Sequence, residues 1–140
     1  MSHITGKGSC LCGAVRFTVN EMNTDVGACH CDMCRQWSSG PFMAVDCGTD
    51  VHFASEEQIG IYKSSVFAER GFCKNCGSNL FWRMNHTQQH MMAAGLFDEE
   101  PNFTLDNQVF IDKKPTYYSF AEKTTDITEA EVLAEYPTTS

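Results

Sequence analysis

Seven of the eight cysteines in this chain fall into three tight groups, and that spacing constrains the fold more than any other feature. The groups are Cys10-x-Cys12, Cys29-x-Cys31-x-x-Cys34 and Cys73-x-x-Cys76, with Cys47 alone. An even count invites a disulfide framework, but such frameworks belong to short secreted chains with too little core. Here 140 residues suffice for a core, and the N-terminus has neither a cationic n-region nor an apolar h-region. We therefore expect an intracellular, cytoplasmic protein whose grouped cysteines bind metal.

Cys73-Lys74-Asn75-Cys76-Gly77 reads as a zinc knuckle, two thiolates at a tight turn with Gly77 placed where the backbone is most strained. A structural zinc takes four ligands, and Cys10 and Cys12 are the natural partners; read as strand residues, their side chains face one way. Cys10, Cys12, Cys73 and Cys76 are thus expected to hold one structural zinc, closing a long loop. Cys29, Cys31 and Cys34 supply three sulfurs, and three protein ligands with an open fourth position is the pattern of a catalytic zinc. Three thiolates make a weak activator of water but suit a soft incoming ligand, such as a substrate thiol. Competing readings are disulfides for the first set, and for the second a structural site completed by Cys47 or a histidine. An iron–sulfur cluster matches the spacing poorly.

The other candidates have ordinary readings beside the functional ones. Cys47 reads as a small buried hydrophobe. His30, between two ligands, reads as a supporting or solvent-facing residue, and His52, His86 and His90 as surface residues. Arg35 and Arg70 could bind a substrate carboxylate. Trp37 and Phe42 flank a Ser-Ser-Gly-Pro turn and could wall a pocket, although core packing explains them equally well.

Period-two alternation dominates the rest. Val15, Phe17 and Val19; Val51 and Phe53; Ile59 and Ile61; Leu80-Phe81-Trp82; Met91 to Leu96; and Val109-Phe110-Ile111 are short runs bounded by turn residues. They predict a mainly β, largely antiparallel fold, with Asp112-Lys113-Lys114-Pro115 as a turn after the last strand. Thr128 and Glu131 form a capping box before a short helix over about Glu129–Glu135, with Val132, Leu133 and Tyr136 available for docking. A helical turn after Cys31 is also expected. No linker divides the chain, so residues 1–136 are expected to form one domain, with 137–140 as a loose tail.

Eighteen acidic residues against ten basic give a net charge of −8, with no run of Lys or Arg. That composition disfavours nucleic-acid partners and anionic membranes, which require a basic face. No stretch approaches the ~20 apolar residues of a membrane span.

Three segments together resemble the glutathione-dependent formaldehyde-activating enzyme family, which also includes centromere protein V. They are Gly8-Ser9-Cys10-Leu11-Cys12-Gly13-Ala14-Val15-Arg16-Phe17, Cys29-His30-Cys31-Asp32-Met33-Cys34-Arg35, and Cys73-Lys74-Asn75-Cys76-Gly77-Ser78-Asn79-Leu80-Phe81-Trp82. Met92 to Asp98 and Val109 to Pro115 resemble the family's closing strands. The resemblance implies small stacked sheets around two zinc ions per chain. It implies a structural zinc on Cys10, Cys12, Cys73 and Cys76, and an active-site zinc on Cys29, Cys31 and Cys34. It also implies carbon–sulfur lyase chemistry, adding the thiol of glutathione to formaldehyde or reversing that addition. The chain departs from the family at Asn79, where proline is common, and at Gln108, where histidine is common. A non-catalytic, zinc-stapled protein-binding module is the alternative, and a free strand edge leaves room for a homodimer.

Overall fold

The structure is a computed structural model describing residues 4–98 and 102–135. Tyr136 and the expected tail lie outside the described residues. The chain runs β1 (Ile4–Ser9), β2 (Arg16–Met22), β3 (Asp25–Cys29), α1 (Asp32–Ser38), β4 (Phe42–Asp46), β5 (Val51–Phe53), β6 (Ile59–Tyr62), β7 (Ala68–Cys73), β8 (Asn79–Met84), β9 (His90–Ala93), β10 (Thr104–Val109), β11 (Thr125–Ile127) and α2 (Glu129–Glu135). Among the described residues, no helix is long and apolar enough to cross a membrane.

The strands form two sheets: β1-β2-β5, and an eight-stranded sheet in the order β11-β10-β3-β4-β9-β8-β7-β6. The architecture is mainly β, as alternation predicts. Most pairs are antiparallel, but β10 runs parallel to both β3 and β11. Local patterning carries no signal for such a long-range pairing.

The centre of the large sheet has two different faces. Val45, Met92 and Phe81 are adjacent across β4, β9 and β8 and belong to the main core, with Phe17, Val19, Met22 and Leu80. Cys10 and Cys73 are part of that core. Ala44, Met91 and Trp82, each one residue away along its strand, belong to a second cluster with Cys34, Phe42 and Trp37. Because successive strand side chains point to opposite faces, one cysteine group packs with each face. Gly8 lets β1 approach the main core closely: a Cβ there would lie 2.2 Å from the Leu96 carbonyl oxygen.

Several local expectations change. Cys10 and Cys12 occupy a turn after β1 and are not strand residues. The strand at Val109 ends there, because Phe110 takes a left-handed conformation (φ 56°) and Ile111–Lys113 form a 3₁₀ turn. A further strand, β11, then follows. The capping box is present, with Glu131 Oε1 accepting from the Thr128 amide at 2.9 Å.

His90 is buried rather than exposed. Its ring lies 5.0 Å from that of Phe81, Nδ1 donates to the Gln88 carbonyl (2.9 Å), and Arg83, itself paired with Glu69, lies 3.4 Å from Nε2. His52 is exposed beside Asp50, and His86 is exposed. Burial, and next the nearby Arg83, push the His90 pKa down to about 4. Above the unfolded value of ~6.5 the ring is neutral in both states. As pH falls from there toward about 4, the unfolded chain takes up a proton that the folded chain refuses, so stability is lost across that window. The loss is expected to be about 2–3 kcal/mol. Urea unfolding as a function of pH should show this slope in the native protein and a flatter one in His90→Gln.

Candidate metal centres

The first centre joins two turns. In the knuckle, Cys73 ends β7, the Gly77 amide returns to the Cys73 carbonyl (2.8 Å), and the Cys76 amide donates to Cys73 Sγ (3.4 Å). Gly77 has φ +81°, the strained position expected of it. The Cys10 turn has similar features: the Gly13 amide donates to the Cys10 carbonyl (3.1 Å), the Val15 amide donates to Cys10 Sγ (3.3 Å), and Gly13 has φ +82°. Asn75 Nδ2 donates to Cys12 Sγ (3.2 Å), and Ser78 Oγ links the turns by accepting from the Leu11 amide (3.0 Å) while lying 3.2 Å from Cys76 Sγ. The Ser78 hydroxyl, together with backbone donors, lowers the Cys76 pKa to about 5.

All eight cysteines are free thiols, and the sulfurs of Cys10, Cys12, Cys73 and Cys76 lie within 4.8 Å of one another. Zinc–thiolate bonds of about 2.3 Å in a tetrahedron set sulfurs about 3.8 Å apart. Cys10 and Cys12 are 3.7 Å apart, and Cys12 and Cys73 are 3.8 Å apart. Both separations match that spacing, and the four sulfurs together could hold one metal ion.

The second centre is formed where β3 runs into α1. Cys29 ends the strand, Cys31 caps the helix by accepting from the Cys34 amide at 3.4 Å, and Cys34 lies buried in the first turn. These three sulfurs also lie within 4.8 Å of one another. Hydrogen bonds from Cys29 and then Cys34 hold Cys31 down to about 2, while the bond to Cys31 pushes Cys29 far up. Three thiolates so close together require a compensating cation, so this donor set also fits a metal ion. Cys47 is fully buried away from both groups, and burial pushes its thiol up to about 12.

Two buried side chains frame the second centre. Both Nη atoms of Arg70 lie 3.7 Å from Cys34 Sγ, and its guanidinium sits 4.9 Å from the centre of the Trp37 ring. Arg35 points elsewhere, donating from Nε to the His30 carbonyl (2.9 Å) and pairing with Asp32. His30 is fully buried. Thr124 donates to Asp126 (2.6 Å) and so accepts from Gln108 Nε2 (2.8 Å), leaving Gln108 Oε1 to accept from His30 Nε2 (2.8 Å). His30 Nδ1 then accepts from the Tyr118 hydroxyl at 2.8 Å. The chain of bonds fixes the neutral tautomer and ties the cysteine loop to the C-terminal segment. Gln108 surfaced in the sequence only as a departure from the resembled family, and Tyr118 carried no signal.

The centres differ in access. Cys29, Cys31 and Cys34 line a cavity of about 430 Å³ together with Arg70, Phe42, Trp82 and Met91. None of the other four grouped cysteines lines it. Phe42 walls the cavity, as anticipated; Trp37 instead packs behind, its ring 5.2 Å from that of Phe42.

A mainly β domain with two cysteine clusters, each able to hold a metal ion, one of them open to a cavity, defines the class of protein. The family model of the glutathione-dependent formaldehyde-activating enzyme matches residues 5–113, and the chain belongs to this family. A Schizosaccharomyces pombe protein named an uncharacterised lyase is 42% identical over 128 residues, covering 91% of this chain and 93% of its own. A putative glutathione-dependent formaldehyde-activating enzyme of Halomonas elongata is 35% identical over 86 residues, 54% of each chain. A Rhodobacter sphaeroides protein of known crystal structure shares the fold, with a TM-score of 0.59 at 22% identity, covering 69% of this chain and 91% of its own.

Because Arg70 offsets the charge on Cys34, Arg70→Met is expected to weaken metal retention at the three-cysteine centre by about ten- to a hundredfold. Chelator competition should show that loss with the four-cysteine centre unaffected; equal loss at both would point to general unfolding.

Proposed function

We propose that the chain is a zinc-dependent carbon–sulfur lyase. It joins a small thiol, glutathione or a related one, to formaldehyde or another aldehyde, or reverses that addition. The observation that carries this reading is that Cys29, Cys31 and Cys34 line the large cavity whereas Cys10, Cys12, Cys73 and Cys76 do not. The latter four would hold a structural zinc joining segments some sixty residues apart. A zinc ion held by Cys29, Cys31 and Cys34 would accept a substrate sulfur as its fourth ligand and keep it a thiolate at neutral pH.

In the reaction a bond forms between the thiol sulfur and the carbonyl carbon, and the thiol's proton ends on the former carbonyl oxygen. The reverse step breaks the same bond. The chain's own residues arrange this encounter. Arg70 offsets the surplus negative charge of the thiolates, and the Asp126-Thr124-Gln108-His30-Tyr118 hydrogen-bond chain holds the cysteine loop in place. Phe42, Trp82 and Met91 provide apolar walls beside the sulfurs. Membership of the family and the lyase-named relative support the reaction class.

Cys31→Ser is expected to abolish turnover and leave the fold intact, whereas Cys76→Ser should unfold the domain, since a structural metal site contributes its binding energy to folding. Circular dichroism, zinc content and thiol–aldehyde exchange rates measured together test this. Full activity in Cys31→Ser would refute the assignment. X-ray absorption at the zinc edge should show two ions per chain, one gaining a sulfur when thiol is added.

A further inference from the structure

The cavity beside Cys29, Cys31 and Cys34 is more apolar and more acidic than an adduct of glutathione with formaldehyde requires. Formaldehyde has two heavy atoms, whereas about 430 Å³ lies in the size range of pockets that enclose drug-sized ligands. Size alone would admit glutathione; charge opposes it. Asp25, Asp46, Asp106 and Glu135 line the cavity, against a single basic residue, Arg70. Both Nη atoms of Arg70 lie beside the Cys34 sulfur, and its buried Nε has no partner. Lys63, Lys74 and Arg83 do not line the cavity, and Arg83 is paired with Glu69 at 2.7 Å. The two carboxylates of glutathione would therefore meet four acidic residues and a single guanidinium, whose Nη atoms already face the Cys34 sulfur.

Part of the apolar wall comes from outside the segment that the family model matches. That match ends at residue 113, while Ile127 of β11 and Val132 and Leu133 of α2 line the cavity. The helix is held there by specific contacts. The Glu129 amide donates to Asp112 Oδ1 (2.9 Å), and Lys113 pairs with Glu129 at 3.5 Å. On β4, Ala44 presents only a methyl group to the cavity, and on β3 the missing side chain of Gly27 makes room for Asn107, whose Oδ1 would lie 2.7 Å from a Cβ there.

Resting on the proposed thiol–aldehyde chemistry, we infer that the enzyme selects adducts bearing a bulky, uncharged apolar group over the adduct of glutathione with formaldehyde. That group occupies the space bounded by Phe42, Trp82, Met91 and Leu133. It belongs to the aldehyde or to the thiol, and in either case the carbon–sulfur bond forms with the thiol's proton passing to the carbonyl oxygen.

The test uses the zinc-loaded full chain and magnetisation-exchange NMR on three pairs: glutathione with formaldehyde, 2-mercaptoethanol with phenylacetaldehyde, and benzyl mercaptan with formaldehyde. At least one bulky pair is expected to exceed the glutathione pair by at least about tenfold in kcat/KM, and the better of the two identifies which half carries the group. A glutathione pair equal to or better than both overturns the inference and leaves the proposed activity standing. A second readout is independent of turnover: quenching of Trp82 fluorescence by the thiols alone. Benzyl mercaptan should bind more tightly than glutathione, Leu133→Glu should weaken benzyl mercaptan at least about tenfold, and Asp106→Lys should strengthen glutathione by about threefold or more. Unchanged affinities in both variants overturn the inference. If no pair is catalysed while benzyl mercaptan still binds and responds to Leu133→Glu, the proposed activity falls and the pocket's ligand class stands.

Discussion

Thiolates repel one another, and the architecture depends on where that repulsion is concentrated. Seven sulfurs gather within two small volumes, and neither group can be fully ionised without a cation among them. In the four-cysteine group, backbone and side-chain donors converge on the sulfurs: the Val15 and Cys76 amides on Cys10 and Cys73, and Asn75 on Cys12. These contacts fix two turns against each other and join β1 to β7, on separate sheets. The three-cysteine group has fewer such donors and a buried arginine, and its sulfurs face open space.

The division of labour follows from the pleat of one sheet. At the centre of β4, β9 and β8, one residue of each strand belongs to the main core and its neighbour to the second cluster. Val45, Met92 and Phe81 pack on the side that includes Cys10 and Cys73, whereas Ala44, Met91 and Trp82 face the cavity. The closely packed side provides rigidity, and the other, with Ala44 in a central strand, leaves room for a ligand. One sheet thereby places one centre beside its main core and the other beside the cavity within a single chain.

Buried polar groups keep the accessible centre in register. His30 lies between two candidate ligands, yet its ring turns away from the sulfurs into a one-way hydrogen-bond chain that ends at Asp126. That chain crosses from the cysteine loop to β10 and the C-terminal segment. The same segment contributes Val132 and Leu133 to the cavity wall. Positioning of the sulfurs and shape of the pocket are therefore linked through residues distant in sequence, and neither is a property of the cysteine motif alone.

Local sequence was enough to set the grouping of the seven cysteines, because turn geometry restricts which sulfurs two or three residues apart can share a site. It also determined the left-handed glycine of the knuckle, the β character of the chain and the capped C-terminal helix, all set by local sterics and periodicity. The burial of Cys47 was legible from its chemistry. Long-range packing settles that His90 is enclosed by Phe81 and Phe53, that Arg70 faces Cys34 rather than solvent, and that Tyr118 reaches His30. It alone decided that β10 runs parallel to β3 and that the cavity opens onto one centre only. Each of these depends on contacts between segments far apart in the chain, for which hydrophobic period and motif spacing carry no information.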